Sequence, residues 1–404
     1  MSFSSLNLHA SLSRAIDGLG FEKPTPIQAE AIPAGLAGRD VLASAETGSG
    51  KTAAFLLPIL QRLLAEPRGK TRALILTPTR ELAQQIADDA YDLARHTHVE
   101  IAAVYGGVAM GPQQRAFRNG VDLVVATPGR LLDHMRSGTA KFGGLQVLVL
   151  DEADRMLDMG FLPDIRRILA ALPKQRQTLF FSATMPAPIA TLANEMLRDP
   201  ARIELARKAA PASGIAQAVY PVAQDRKAEL LASLLEKGEM QDALVFTRTK
   251  HRADRLTRYL TERKVSAGRI HGNRSQRQRT EALESFRSGR YRVLVATDIA
   301  ARGIDVEELG HVVNFDVPAV PEDYVHRVGR TGRAEATGDA FTFVSPQEEG
   351  DLRRIEHAIG KRLPRVTVPG FDAPAQPTAG AGPVHARPRN HYRGGSRGAR
   401  RARR

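Results

Sequence analysis

The sequence predicts an α/β protein of two tandem domains, each a parallel sheet covered by helices, followed by a basic tail. Three observations predict it. Short apolar runs recur along 404 residues, a chain long enough for more than one core. The runs are continuous rather than alternating, as in strands buried on both faces, and helical stretches separate them. The periodicity lapses at 206–216 and again beyond 365. This puts domains at 1–205 and 217–365, a linker at 206–216 and a disordered Arg/Gly-rich tail at 366–404.

In chain order, a helix around 11–19 leads into Gly20-Phe21-Glu22-Lys23-Pro24-Thr25-Pro26-Ile27-Gln28. Two prolines in three residues predict an extended segment there. The amide of Gln28 is both donor and acceptor, the pattern that bonds adenine bidentately. Phe21, or Phe3 upstream, offers an aromatic face for a base.

An apolar run at 40–43 precedes Ala43-Ser44-Ala45-Glu46-Thr47-Gly48-Ser49-Gly50-Lys51-Thr52, and an apolar segment follows. Strand, glycine-rich loop and helix start together make a phosphate cradle. Gly48 and Gly50 let the loop curl so that backbone N–H groups point inward. Lys51 supplies charge, and the Thr52 hydroxyl a ligand for Mg²⁺. Ala45 stands where the general pattern has glycine.

Further buried-strand candidates lie at 73–77, 121–126, 145–150 and 178–181, each running into a polar motif. Ligands of open parallel sheets bind outside the carboxyl ends of strands, and every one of these motifs sits at such an end. At 151–154 the motif is Asp-Glu-Ala-Asp. Mg²⁺ keeps several waters, so the carboxylate of Asp151 with Thr52 and the phosphates suffices to hold it. Glu152 is then left to orient or deprotonate an attacking water.

The second half repeats the pattern at 243–247, 293–297, 311–315 and 340–344 without a second phosphate loop. It carries His326-Arg327-Val328-Gly329-Arg330-Thr331-Gly332-Arg333. Arginines at three-residue spacing with glycines between them read as unsuited to a core and suited to phosphate. Arg330 and Arg333 are therefore candidate arginine fingers, reaching the phosphate site of the first domain when the domains close.

Composition narrows the function. There is no cysteine, which excludes disulfides, thiolate catalysis and Cys-type zinc sites. No apolar run approaches the ~18 residues that cross a bilayer. The first residues lack the basic region and apolar core of a secretory signal, so a cytoplasmic protein without membrane contact is expected. Formal net charge is +14. Residues 371–404 hold eight Arg and one acid, or +7, leaving +7 for the rest. Such a balance points to a polyanionic partner.

The segments at 21–28, 43–52, 78–83, 127–130, 151–154, 182–184, 296–305 and 326–333 resemble, in order, the motifs of the DEAD-box ATP-dependent RNA helicases. The resemblance spans roughly residues 1–365, and Ala45 is the residue common in that family at its position. The compact core with a short basic tail resembles the bacterial RhlE-type branch. The resemblance implies two RecA-like domains, with ATP and Mg²⁺ as cofactors and RNA as the partner. It implies that Gln28 reads adenine, that Phe21 or Phe3 packs on the base, and that residues 45–52 cradle phosphate. Asp305 would contact ribose and Arg330 and Arg333 the γ-phosphate. Ser182 and Thr184 would couple nucleotide state to closure in a network with Asp154 and His326. RNA contacts are implied for Thr79, Arg80, Gly106, Gly107, Thr127, Gly129 and Arg130 in the first domain. In the second they are implied for Gly272, Gln276, Arg279 and Thr297 and around Thr247. Ribosome-assembly or RNA-decay proteins are the implied protein partners. An RNA clamp or annealing chaperone would use the same residues as a helicase.

Overall fold

The computed structural model describes residues 2–45, 48–65, 67–204, 215–298, 309–331 and 338–371. The candidates Glu46, Thr47, Asp305 and Arg333, most of the expected linker and residues 372–404 lie outside the described residues.

The first half opens with a 3-10 turn (Phe3–Leu6), then α1 (Ala10–Gly18), α2 (Pro26–Leu36), β1 (Val41–Ser44), α3 (Lys51–Leu64), β2 (Ala73–Leu76) and α4 (Arg80–Ala94). Next come β3 (Ile101–Val104), α5 (Met110–Arg118), β4 (Leu123–Ala126), α6 (Pro128–Arg136) and β5 (Val147–Leu150). α7 (Ala153–Asp158), α8 (Leu162–Ala170), β6 (Gln177–Ser182), α9 (Ala187–Met196) and β7 (Ala201–Glu204) complete it. The strands form one sheet in the order β3-β4-β2-β5-β6-β1-β7, every pairing parallel. Side chains alternate between its two faces. Ile75, Val125, Val149 and Phe181 pack under α3 and α4, while Leu74, Val124, Leu148 and Phe180 pack on the opposite side.

The second half contains β8 (Ile215–Pro221), α10 (Lys227–Glu236), β9 (Ala243–Phe246), α11 (Lys250–Glu262), β10 (Ala267–Ile270) and α12 (Gln276–Arg287). β11 (Val293–Ala296), β12 (His311–Asn314), α13 (Pro321–Val328), β13 (Gly338–Val344) and α14 (Glu349–Ala358) follow. Its sheet runs β10-β11-β9-β12-β13-β8, again all parallel.

Three features differ from the sequence-based expectation. The Pro24–Pro26 segment is not extended throughout, because α2 starts at Pro26 and Gln28 lies in its first turn. Proline is at home at a helix start, where its missing N–H has no partner to lose. Thr25 and Gln28 close a reciprocal capping box there. Strand β8 begins at Ile215, within the segment read as linker. At the other end, ordered packing runs past residue 365. Val219 N–H donates to Pro364 O and Val366 N–H to Val219 O, both at 2.8 Å. Val368 and Phe371 are buried in the core, with the Arg226 guanidinium 4.6 Å from the Phe371 ring centre.

Candidate functional site

The glycine-rich loop leaves β1 and ends at α3. Gly48 and Gly50 have φ of 83° and 91°, a region where a side chain is strained. A Cβ on Gly50 would also fall 2.6 Å from Gln28 Nε2 and 2.9 Å from Thr25 Oγ1. Both atoms serve the loop: Thr25 Oγ1 donates to Ser49 O at 2.8 Å, and Gln28 Nε2 donates to Gly50 O at 3.0 Å. Gln28 Oε1 accepts from Thr25 N–H at 3.0 Å. Among the described residues one N–H and one lone pair of this amide remain, the pair that adenine reading needs. Phe3 is core, and the exposed Phe21 stands on it with ring centres 6.0 Å apart. Ala45 is buried, and its N–H donates to Ser182 O.

At the base of the loop Lys51 is 6% exposed, and its Nζ lies 3.8 Å from Asp151 Oδ1 without a hydrogen bond among the described residues. A buried ammonium without hydrogen-bond partners is costly, and phosphate oxygens would satisfy it. Burial pushes the Asp151 carboxyl up to about 6 against the pull of Lys51. Thr52 is half-buried in the first turn of α3. A buried carboxylate and a hydroxyl are hard oxygen donors of the type Mg²⁺ takes, so the donor set fits that ion. Glu152 adopts the left-handed conformation, φ 51° and ψ 52°, at the N-cap of α7. A non-glycine residue there stores roughly 1–2 kcal/mol of strain, a cost found mostly at functional sites.

Strand β6 lies between β5 and β1, so its end touches both motifs. The Asp154 N–H donates to Ser182 Oγ at 3.1 Å, and Ser182 Oγ donates to Thr184 O at 2.7 Å. Thr184 N–H and Oγ1 both donate to Asp154 Oδ2, at 2.7 and 2.8 Å. Burial alone would raise the Asp154 carboxyl; the Thr184 hydrogen bonds, Arg155 and Lys51 together lower it. Asp154, Ser182 and Thr184 are thus one closed polar unit.

The second half faces this unit. Arg155 NH1 lies 3.8 Å from Asp323 Oδ1 on α13. Arg155, Asp323, His326, Arg327 and Arg330 line one small cleft with Asp298 and Phe246. Burial, with Arg155 and Arg330 outweighing Asp154, lowers His326 to about 3, so its ring is neutral. Arg330 is buried in this cleft. Arg327 corrects the sequence reading, which took these arginines as unsuited to a core. It is 3% exposed, donates to both oxygens of Asp298, to Asn314 Oδ1 and to Asp316 O, and lies over Phe246.

The remaining candidates lie at helix starts and strand ends of the two domains. Thr79 caps α4 through a bond from Leu82 N–H, and the Arg80 guanidinium lies over Gly107, where a Cβ would meet it at 2.1 Å. Thr127 stands at the N-cap position of α6 without a side-chain capping bond among the described residues, and Gly129 is open to space. Arg130 NH1 braces the loop after β3, donating to Val108 O and to Gln113 Oε1. Gly272 is exposed, and Thr247 is buried at the end of β9. Thr297 N–H donates to Ile270 O. Gln276 and Arg279 reach the first half, where Gln276 Nε2 donates to Glu81 Oε1 at 3.0 Å and Arg279 NH2 pairs with Glu81 Oε2 at 2.9 Å. Glu81, Arg155, Asp323 and Gln113 were not singled out in the sequence. Glu81 lies within the motif at 78–83 and Arg155 directly follows that at 151–154, which was the available signal.

Residues 25–192 match the family model described as DEAD/DEAH box helicase, and residues 226–335 match that of the helicase conserved C-terminal domain. The DEAD-box ATP-dependent RNA helicase CshA of Bacillus subtilis is 43% identical over 92% of this chain and 75% of its own length. The chain belongs to the DEAD-box helicase family. Its relatives here carry the name CshA, which does not support the RhlE-type branch expected from the short tail. Two solved structures of one yeast protein share the fold of this DEAD-box chain. Dbp5 of S. cerevisiae bound to RNA and ADP BeF3 aligns with a TM-score of 0.83 at 31% identity, covering 91% of this chain and 95% of that one. A variant of Dbp5 bound to Nup159, Gle1, IP6 and ADP reaches 0.64 at 29% identity, covering 90% and 96%. The two helix-covered parallel sheets of this chain are two RecA-like domains.

Proposed function

We propose that this DEAD-box protein is an ATP-dependent RNA helicase that couples RNA-stimulated ATP hydrolysis to closure of its two domains. The observation that carries this reading is the cleft itself. The Lys51–Asp151 pair and the Asp154–Ser182–Thr184 unit from one domain face His326 and Arg330 from the other.

The roles follow from the chemistry. Lys51 and the loop N–H groups of residues 45–52 hold the phosphates, and Gln28 holds adenine with the amide positions it has left. Thr52 and Asp151 would hold Mg²⁺, which when bound supplies charge neutralisation at the phosphates. Glu152, held in a strained conformation, positions and deprotonates water. Arg330 brings positive charge to the transition state only in the closed form, with Arg333 as its proposed neighbour and Asp305 on the ribose. The neutral His326, which feels the Asp154 charge across the cleft, would report closure to the Asp154 unit. Arg80, Gly106, Gly107, Thr127, Gly129, Gly272 and Thr297 hold the RNA backbone, giving a grip independent of base sequence. Arg130, Gln276 and Arg279 act from behind that surface, bracing the loop or locking the domains. Each base step costs about 1.4 kcal/mol on the DNA scale, so one closure opens only a short stretch. Cytoplasmic RNA remodelling, in ribosome assembly or RNA decay, is the setting this reading implies.

The test is Glu152→Gln. RNA-stimulated turnover should fall by at least a hundredfold while ATP and RNA still bind together. A wild-type rate in this variant sinks the role of Glu152.

A further inference from the structure

We propose that the groove between α11 and the edge strand β10 is a second contact site for the RNA backbone, taking one end of the strand as it leaves the cleft. This rests on the RNA-helicase reading above and extends it to a surface with no motif. The groove has a volume of about 550 Å³ and is lined by His251, Asp254, Arg255, Arg258, Thr261 and Arg269.

Three observations carry the proposal. Positions 251, 255 and 258 share one face of α11, because i, i+4 and i+7 stack along a helix. Arg255 and Arg258 are exposed and make no ion pair or hydrogen bond among the described residues. The acid in the groove is already matched: Asp254 Oδ1 lies 2.6 Å from Arg269 Nε and 3.1 Å from His271 Nε2. Two unmatched guanidiniums therefore set the charge of the groove, and guanidinium is the group best shaped for phosphate.

The position favours RNA over an acidic protein. Lys250, the first residue of α11, donates from Nζ to Asn273 Oδ1 at 3.1 Å, in the loop that carries Gly272. A strand touching Gly272 meets the start of α11 next and then His251, Arg255 and Arg258 in turn. At 1.5 Å per residue, positions 251 to 258 extend the track by about 10 Å. Since an RNA strand has polarity, only one of its two ends can run along this helix.

The experiment uses the full chain, the double variant Arg255→Ala/Arg258→Ala, and three single-stranded RNAs with ADP and beryllium fluoride. One RNA is the shortest that saturates the wild-type ATPase; the others extend it at the 5′ or the 3′ end. The expected result is unchanged affinity for the short RNA and for one extension. For the other extension, affinity falls on the order of tenfold at ~0.1 M salt and the log–log salt slope drops by about 1.4, two contacts at ~0.7 each. Equal loss on all three RNAs overturns the proposal, and so does unchanged binding of both extensions. Unaltered RNA binding with weakened binding of polyglutamate would assign the groove to an acidic protein instead. If no RNA stimulates the wild-type ATPase, the helicase reading falls and this one with it. Both arginines lie on the solvent face of α11, so thermal unfolding of the variant should match wild type.

Discussion

Replacing Glu81 by Gln should uncouple the two domains while leaving each intact. Across the two domains the Glu81 carboxylate takes one bond from Gln276 and an ion pair from Arg279, with the two charged side chains only 7% and 10% exposed. Burial already works against the Arg279 charge, and Glu81 is the group that offsets it. With the domains apart, all three groups are hydrated. The substitution therefore destabilises only the closed arrangement. Hydrogen bonds to charged groups contribute about 1.5–3 kcal/mol, and breaking a buried pair costs ~3–5 kcal/mol. A rim that water can re-enter lies near the low end, about 2 kcal/mol, or roughly 30-fold in the closure equilibrium. The assay is RNA affinity with ADP and beryllium fluoride, which reads closure, beside RNA affinity without nucleotide, which does not. Glu81→Gln should weaken the first about 30-fold and leave the second and the melting temperature unchanged. Adding Arg279→Ala should cost little more, because the pair is already broken. Nucleotide-dependent RNA affinity at the wild-type level would refute the assignment of this contact to closure.

Four further outcomes follow from particular residues. Glu152→Gly should abolish turnover yet raise stability by about 1 kcal/mol in thermal or denaturant unfolding, because glycine relieves the left-handed strain. Gln113→Ala removes a buried amide that donates to Tyr105 O and accepts from Arg130 and His134. It should raise the RNA concentration for half-stimulation about tenfold, from loss of ~1–2 kcal/mol of bracing, with unstimulated ATP hydrolysis unchanged. Ending the chain after Phe371 should leave the melting temperature unchanged and lower RNA affinity. Ending it after Leu363 should cost about 3–5 kcal/mol of stability, from the loss of buried Val368 and Phe371. Finally, the ring of His326, lowered to about 3 when closed, returns toward its ordinary value of ~6.5 when hydrated. Opening therefore takes up a proton below pH ~6.5, and acid disfavours closure, by at most tenfold per pH unit. Nucleotide-dependent RNA affinity should fall from pH 7 to 5, and His326→Ala should flatten that slope.

The central strands were legible because they are buried on both faces. Every residue of β2, β4, β5, β9 and β11 is buried, which forces continuous apolar runs. The strands that went unnoticed are β3, β7, β8 and β10, the edge strands of the two sheets. An edge strand is covered on fewer sides, so β7 reads Ala-Arg-Ile-Glu and β10 Ala-Gly-Arg-Ile, which look like loop. The glycine-rich loop at 43–52 and the Asp151–Asp154 motif stood out because their residue types recur at short spacing along the chain. Glu81, Arg155 and Asp323 did not, because what selects them is a partner far along the chain. Arg327 was misread for the same reason: its acceptors, Asp298, Asn314 and Asp316, follow or end β11 and β12, which come together only on either side of β9.

The rate of ATP hydrolysis with and without single-stranded RNA, with DNA of the same sequence as control, tests whether the two domains share one catalytic cleft. A cleft assembled from both domains predicts slow hydrolysis alone and strong stimulation by RNA, with about 30-fold more RNA needed in Glu81→Gln. A rate that is the same with and without RNA would contradict it.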